Sequence, residues 1–227
     1  MAIDNERLYE MAEYGLLKLY LREKESALKH FPIHEVMQAT DMIWETYKKG
    51  GTVYACGNGG NAASVGNLIT DLANHLFVTD DKSKPLPENI QRLRTVDLCS
   101  SGAALTAYLN DFGKEYVFSQ QLICNRVAEG DTLFGFSGSG TSGNIRKACE
   151  IAKKHGAKTI LVTRNRNAVL EELIDLSIVF EGHSQFPGQI GSNDFNFHYE
   201  DLGFAMAHMI TGLLRKRIYD EHNRIKS

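Results

Sequence analysis

Apolar residues recur at helical spacing through the first fifty residues of the chain. A helix is predicted from about Asp4 to Lys29 and a second from about His34 to Lys49, because apolar positions return every three or four residues. Phe31-Pro32 separates the two helices, and Gly50-Gly51 ends the second, as glycine commonly does at a helix C-terminus. Two helices therefore precede the first strand, and their apolar faces need a surface to cover them.

Beyond residue 51 the apolar positions form five runs of strand length, separated by helical patterns. Strands are predicted at Thr52–Cys56, Arg94–Leu98, Thr132–Phe136, Lys158–Thr163 and Leu176–Phe180. Helices are predicted at about Ala62–His75, Ala103–Leu109, Glu115–Val127, Ile145–His155, Val169–Leu173 and His198–Ile218. This alternation is typical of a parallel sheet covered on both faces. We expect an α/β fold, a three-layer sandwich of flavodoxin or Rossmann type with a five-stranded parallel sheet, preceded by two helices.

Three connecting segments show neither the helical nor the strand pattern of apolar residues. Phe77–Arg94 is polar, contains two prolines and predicts a surface loop. Asn110–Gly113 predicts a turn, and Gly182–Asn193 is irregular. The length of 227 residues suits one domain with attached helices. We expect residues 1–50 to be a helical extension used in oligomerisation and residues 51–227 to be the α/β core.

Charge and cysteine content narrow the partners and the compartment. The net charge is −3, so neither nucleic acid nor an anionic membrane is an expected partner. The N-terminus is acidic and helical, unlike a signal peptide, and no apolar run reaches membrane-spanning length. The four cysteines form no CxxC pair. Such scattered thiols fit the reducing cytoplasm.

The most informative stretch follows the third predicted strand. We call Ser137–Asn144 the cradle turn: it is rich in serine and glycine and leads into a helical pattern. Glycine lets a backbone approach a ligand closely, and the free N–H groups of a helix start attract an anion. The turn therefore predicts a phosphate site, although similar sequences also occur as plain turns and N-caps. It matches neither a Walker A loop nor a dinucleotide fingerprint.

A second strand–glycine–helix unit occurs earlier in the chain. Gly57–Asn61, the first glycine turn, directly follows a strand and precedes a helix. Alone, it is equally consistent with a tight connection that binds nothing. Ser100-Ser101 also follows a strand. Because ligands of parallel α/β folds bind beyond the carboxyl ends of the strands, we expect these segments to face one site.

Three motifs together resemble the sugar isomerase (SIS) domain. They are Cys56-Gly57-Asn58-Gly59-Gly60, Leu109-Asn110-Asp111-Phe112-Gly113, and the cradle turn. Within that family the chain is most similar to the sedoheptulose 7-phosphate (phosphoheptose) isomerases, over nearly its whole length. The resemblance implies substrate contacts at Asn58, Gly59, Gly60, Asn61, Asn110, Asp111, Ser137, Gly138, Ser139, Ser142 and Glu200. It also implies a homotetramer with sites at subunit interfaces.

The positions that carry acid–base and metal chemistry in the family depart from its pattern. Relatives have a histidine and a glutamate four residues apart on the helix after the first glycine turn, where this chain has Asn67 and Asp71. In the last helix, relatives have a glutamine and a histidine eight residues apart, where this chain has Glu200 and His208. The resemblance therefore implies Asp71 and His208 as the catalytic base and acid.

The same departures from the family pattern leave open whether the chain binds a metal. Asp71, Glu200 and His208 could hold a divalent ion such as zinc, but Asn67 is a poor zinc ligand. Residues eight apart on a helix are also separated by ~12 Å along its axis. Glu200 and His208 therefore predict a shared site only if they come from different subunits.

Each candidate also has an ordinary structural interpretation. Asp71 could be a surface carboxylate, and His208, among apolar neighbours, a core histidine. Glu200 lies near a helix start, where acidic residues are common. Arg164 and Arg166 follow a strand and could meet a phosphate or solvent.

The function expected from the resemblance is aldose–ketose isomerisation of a sugar phosphate, in carbohydrate metabolism. That reaction moves a proton between adjacent carbons through an enediol and needs a base and an acid or metal near them. The alternative is a non-catalytic protein of the same fold that senses a sugar phosphate or binds a protein partner.

Overall fold

The structure is a computed structural model that describes residues 5–79, 88–165 and 168–226. In chain order the elements are α1 (Asn5–Leu28), α2 (Ile33–Lys48), β1 (Thr52–Gly57), α3 (Gly60–Asn74), β2 (Arg94–Asp97), α4 (Gly102–Phe112), α5 (Val117–Cys124), β3 (Thr132–Phe136), α6 (Gly143–Lys154), β4 (Lys158–Thr163), α7 (Ala168–Glu171), β5 (Leu176–Val179) and α8 (Asn196–Lys226). Single 3₁₀ turns occupy His75–Phe77 and Gly191–Asn193.

The five strands form one parallel sheet in the order β2-β1-β3-β4-β5. In the centre, Tyr54 is in register with Val96 on one side and with Leu133 on the other. The predicted five-stranded α/β fold with two leading helices is confirmed. Since all strands are parallel, their carboxyl ends lie along one edge, where both glycine turns begin.

Alternate residues of each strand enter two separate cores. Ala55, Phe134 and Val162 pack on one face against α2, α3 and α8, whereas Tyr54 and Leu133 pack on the other against α5 and α6. This alternation follows from the two-residue period of a strand. Helices on both faces explain why the central strands are buried throughout.

The second helix belongs to the first of these cores. Val36, Ala39 and Ile43 on α2 are buried there together with strand residues. The last helix has the longest span of the described elements and continues beyond the predicted end at Ile218 to Lys226. No helix among the described residues combines the length and apolar character needed to cross a membrane.

Two of the predicted connecting segments were wrong in part. Asn110–Phe112 continue α4 rather than forming a turn, because the break comes at Gly113, which has a φ of 88°. Phe77–Arg94 was expected at the surface, and residues 80–87 of it lie outside the described residues. Its ends are buried at Phe77, Ile90 and Leu93, whose apolar side chains join the core of α2, α3 and α8.

Candidate functional site

The two glycine turns meet at the carboxyl edge of the sheet. Asn58 Nδ2 donates to Asn144 Oδ1 at 3.0 Å, and Asn144 Nδ2 donates to Asn58 Oδ1 at 2.8 Å. β1 and β3, which carry the turns, are neighbours in the sheet. The reciprocal amide pair therefore fixes the first glycine turn against the cradle turn, as the strand order predicts.

The cradle turn is built from hydroxyl groups that bond to one another. Ser137 Oγ and Ser142 Oγ are 3.0 Å apart, and Ser139 Oγ and Thr141 Oγ1 are also 3.0 Å apart. Gly140 makes the bend with a φ of 69°, a left-handed conformation that favours glycine. The hydroxyls thus converge on a small volume at the end of β3.

The helix that follows the cradle turn begins without a side-chain cap. Ser142 stands at the N-cap of α6, but its hydroxyl caps no N–H group and bonds to Ser137 instead. The N–H of Ile145 is taken by Asn144 Oδ1 at 3.0 Å. One N–H group of the α6 start is therefore bonded within the turn, and the positive end of the dipole favours an anion at the other N–H groups.

A cavity of about 300 Å³ opens beside this helix start. Its lining residues are Asn58, Lys114, Glu115, Ser142, Gly143 and Asn144. Lys114 and Glu115 were not predicted as site residues. The available sequence signal was Gly113, which ends α4 with a positive φ and turns the chain towards the cavity. A Cβ on Gly143 would lie only 3.0 Å from Glu115 Oε1, so a carboxylate borders the open helix end.

The start of α3 is closed by a carboxylate of the same chain. Glu200 packs so tightly on Gly60 that a Cβ at residue 60 would overlap its carboxylate oxygens. Asn196 Nδ2 donates to Glu200 Oε1 at 2.9 Å. A negative charge here suits the α3 dipole but repels a phosphate. Glu115 stands beside the start of α6 in a similar way, so the carboxylates alone do not separate the two helix starts. The hydroxyls of the cradle turn make the start of α6 the candidate phosphate site, and Glu200 suits contact with sugar hydroxyls.

Asp71 and His208 are brought together where α3 packs on α8. Asp71 Oδ2 lies 3.6 Å from His208 Nε2, and Asp71 Oδ1 lies 3.9 Å from His75 Nδ1. Asn67 Nδ2 lies 3.4 Å from His208 Nε2. Asp71 is buried and the His208 side chain is exposed. A buried carboxylate beside an accessible imidazole is a reasonable arrangement for proton transfer.

The described residues of one chain do not present a zinc site. No group of three His, Cys, Asp or Glu side chains within residues 5–79, 88–165 and 168–226 is placed to hold a metal ion. Glu200 of α8 contacts the start of α3 at Gly60. His208 of α8 contacts Asp71, which lies further along α3. Of the other neighbours, Asn67 offers only an amide, and His75 Nδ1 lies 3.9 Å from Asp71 Oδ1. The residues of a single chain thus do not fit the metal, and a metal shared between subunits stays a prediction.

Two buried polar groups near the start of α3 lack hydrogen-bond partners. Asn61 Oδ1 and Ser64 Oγ are both buried, and neither contacts a donor or acceptor among the described residues. Asn61 packs under Gly57, and Ser64 Oγ lies beside Gly203 of α8. Ser64 was not predicted from the sequence, because an isolated serine in a helix gives no signal of its surroundings.

Asn110 and Asp111 lie at the C-terminal end of α4 and are exposed. The amide of Asn110 donates to Asp111 Oδ1 at 3.0 Å. The two residues are neighbours on α4 and are not part of the cradle turn. Their predicted role in substrate contact stays a prediction.

The first helix is attached to the start of α8 by a buried polar cluster. Glu23 Oε2 lies 3.0 Å from His198 Nε2 and accepts a hydrogen bond of 2.6 Å from the Ser184 hydroxyl. Burial raises the pKa of Glu23, but hydrogen bonds from the Gln185 N–H, Ser184 and His198 outweigh it, so the pKa is lowered overall. The His198 side chain is fully buried. The cluster therefore positions the helix that carries Glu200.

Comparison with known proteins places this geometry in a family. The SIS domain family matches residues 20–164. Phosphoheptose isomerase of Aliarcobacter butzleri is 31% identical over 170 residues, 73% of this chain and 82% of that protein. Phosphoheptose isomerase of Chlorobium limicola is 35% identical over 175 residues, 77% of this chain and 73% of that protein. The structure of phosphoheptose isomerase from Neisseria gonorrhoeae aligns with a TM-score of 0.71 at 22% identity, covering 92% of this chain and 99% of that one.

Proposed function

The chain belongs to the SIS domain family, and from this premise we propose that it is a phosphosugar isomerase. It interconverts the aldose and ketose forms of a sugar phosphate of the sedoheptulose 7-phosphate kind. The relatives that cover most of the chain are named phosphoheptose isomerase, which favours an enzyme over a non-catalytic sensor. The observation that carries the proposal is the pairing of Asp71 with His208 in the same chain as an uncapped cradle turn.

The cradle turn holds the phosphate. The hydroxyls of Ser137, Ser139 and Ser142 donate hydrogen bonds, and the free N–H groups at the α6 start add the positive end of a helix dipole. Asn58, fixed by Asn144, and Glu200, fixed by Asn196, meet the sugar hydroxyls. Holding the phosphate away from the reacting carbons positions those carbons for reaction.

Asp71 and His208 move the protons. The Asp71 carboxylate removes the proton from the carbon beside the carbonyl, and the His208 imidazolium protonates the carbonyl oxygen, which gives the enediol. Return of the carbon-bound proton to the neighbouring carbon, with loss of a hydroxyl proton to His208, completes the isomerisation. Both groups end in their starting protonation states. One carbon is reduced as its neighbour is oxidised, so no redox partner is needed.

The proposed sites lie between subunits. The start of α3 lies by the cradle turn, to which the Asn58–Asn144 pair joins it, and Asp71 follows Gly60 by eleven residues, or about 16 Å of helix. This span is longer than the distance from phosphorus to carbonyl in a heptose phosphate. One chain's pair therefore serves the cradle turn of another chain. Exposed apolar residues support this assembly: Tyr14, Leu17, Leu21 and Leu28 on α1, and Ile33, Met37 and Met209 around a groove that His208 also lines.

We assign the chain to a homotetramer in the cytoplasm. The assembly is tested by sedimentation of the purified protein, and Leu17→Lys with Leu21→Lys should reduce its mass and its turnover together. Loss of the assembly with unchanged turnover would contradict sites that combine residues of two chains. Four free cysteines are compatible with a reducing compartment.

The function is tested by turnover of sedoheptulose 7-phosphate, with other ketose and aldose phosphates as a panel. Product formation is followed by NMR, which also detects exchange of the carbon-bound proton with deuterium from solvent. An enediol mechanism predicts deuterium in the product. A panel member that raises the melting temperature without turnover or exchange would contradict the isomerase proposal and support the sensor.

A further inference from the structure

A phosphate in the cradle turn would meet hydroxyl and amide groups, none of which has a full positive charge. Phosphate sites commonly add an arginine, whose planar guanidinium donates several hydrogen bonds at once. Among the described residues, Lys114 and Arg164 are cationic residues beside this turn. Lys114 is exposed across the cavity, and Arg164 is half-buried at the end of β4.

Arg164 is attached directly to the cradle turn. Its main-chain N–H donates to the Gly138 carbonyl at 3.2 Å. A Cβ on Gly138 would be 3.1 Å from Arg164 Nε and 3.2 Å from Asn196 Oδ1. A side chain at residue 138 would press on the guanidinium, so glycine there lets Arg164 lie close against the backbone of the cradle turn.

The two outer nitrogens of the guanidinium bind another segment. Nη2 donates to the Ser192 carbonyl at 2.9 Å, and Nη1 donates to the Asp194 carbonyl. Asp194 in turn accepts from the Ser184 N–H at 2.8 Å and pairs with His183 at 2.7 Å. The 182–195 segment is therefore fastened to the cradle turn through one side chain.

The third nitrogen of the guanidinium is unused. Arg164 Nε is buried and has no hydrogen-bond partner within the part of the chain that the structure describes. A buried donor of a charged group without an acceptor is costly. An oxygen of a ligand in the cradle turn would satisfy it.

We propose that Arg164 is a positioning residue for the sugar phosphate, which holds the 182–195 segment on the cradle turn and gives the bound phosphate a positive charge. This inference rests on the proposed function. It concerns the affinity for the ligand and the ordering of the 182–195 segment, and it does not concern proton transfer. Arg164 also links the phosphate end to the start of α8, since Asn196 beside it holds Glu200.

Kinetics of Arg164→Gln and Arg164→Lys test the proposal. Arg164→Gln removes the charge and the planar fork, and it should raise KM for the sugar phosphate and the Kd of inorganic phosphate by about 10- to 100-fold, with kcat within about threefold. Arg164→Lys keeps the charge alone and should raise both constants by about tenfold. Arg217→Lys is the matched control, because Arg217 pairs with Asp41 away from the cradle turn and should leave both constants unchanged.

The same proposal makes a prediction for the unaltered protein, so it stays testable if the variants do not fold. Saturating inorganic phosphate should slow amide hydrogen exchange in residues 184–195 by about tenfold, because binding and ordering of the segment are reciprocally coupled. Unchanged exchange, or an unchanged Kd in folded Arg164→Gln, would overturn the proposal. Wild-type protein that neither turns over a sugar phosphate nor binds phosphate would instead refute the proposed function itself.

Discussion

Asp71 Oδ2 and His208 Nε2 lie 3.6 Å apart, across the packing of α3 on α8. The two residues are 137 positions apart in the chain, yet one is nearly buried and the other faces solvent. Asp71 is anchored in a helix whose neighbouring residues Leu68 and Leu72 belong to the core. The carboxylate is therefore held in place while the imidazole can reach a ligand.

Removing either partner of this pair should abolish most of the turnover. Asp71→Asn and His208→Ala should each lower kcat by about 10²- to 10⁴-fold, because each removes a group to which we assign proton transfer. Asp41→Asn serves as the control, since Asp41 is a surface carboxylate that pairs with Arg217. Steady-state kinetics on a sugar phosphate measure the effect. Wild-type turnover in both variants would exclude these roles.

The Ser64→Ala variant should be more stable than the wild type. The Ser64 hydroxyl is buried and has no partner among the residues that the structure describes, so folding removes its hydration and gives it no hydrogen bond in return. We expect the free energy of unfolding in urea to rise by about 1 kcal/mol. Thr211→Ala is a useful contrast, because the Thr211 hydroxyl donates to the Ala207 carbonyl at 2.8 Å and its loss should not stabilise. A less stable Ser64→Ala variant would reveal an unseen partner of Ser64.

The Gly60→Ala variant should lose activity more than stability. The new methyl group would overlap the Glu200 carboxylate, which is the end of a flexible side chain, so Glu200 must turn away from the start of α3 and lose its place in the site, at little cost in stability. Gly66→Ala is the control on the same helix, where a Cβ meets only Asp97 Oδ2 at 3.7 Å and alanine should be neutral or stabilising. Thermal melts and kinetics compare the two. Equal behaviour of the variants would contradict the tight contact between Gly60 and Glu200.

Attachment of α1 should weaken at acid pH through Glu23. The pKa of Glu23 is lowered in the folded chain from its ordinary value of 4.5, so its contribution to stability is full above that value. It is lost as the pH falls through the lowered, folded-state value. Glu23→Gln removes this dependence.

Urea unfolding of the wild type and of Glu23→Gln between pH 7 and pH 3 measures the difference. The difference in the free energy of unfolding between the wild type and Glu23→Gln should become smaller as the pH falls. Glu25→Gln is the control, because Glu25 is exposed and its pair with Lys29 is 3.7 Å long. The free energy of unfolding of this variant should differ from that of the wild type by the same amount at every pH. A difference for Glu23→Gln that does not change with pH would refute the assignment.

Much of the fold followed from local sequence. The strand at Thr132–Phe136 and the strand at Lys158–Thr163 were predicted at their observed limits, because buried strands of a parallel sheet are continuous apolar runs between glycine-containing turns. The end of α4 was missed because Leu109-Asn110-Asp111 carries turn-forming residues, yet the helix continues to Phe112. The burial of Phe77, Ile90 and Leu93 in the core could not be predicted, because the segment to which they belong is mostly polar.

The sequence by itself determined the parallel α/β order and the serine-rich turn at the start of a helix, since both depend on neighbours along the chain. Only the tertiary structure decided which charges meet. It placed Glu200 on Gly60, Asp71 beside His208, Arg164 against Gly138, and Glu115 beside the start of α6. These contacts join residues far apart in sequence, and their energies depend on distances of a few ångströms that no local pattern encodes.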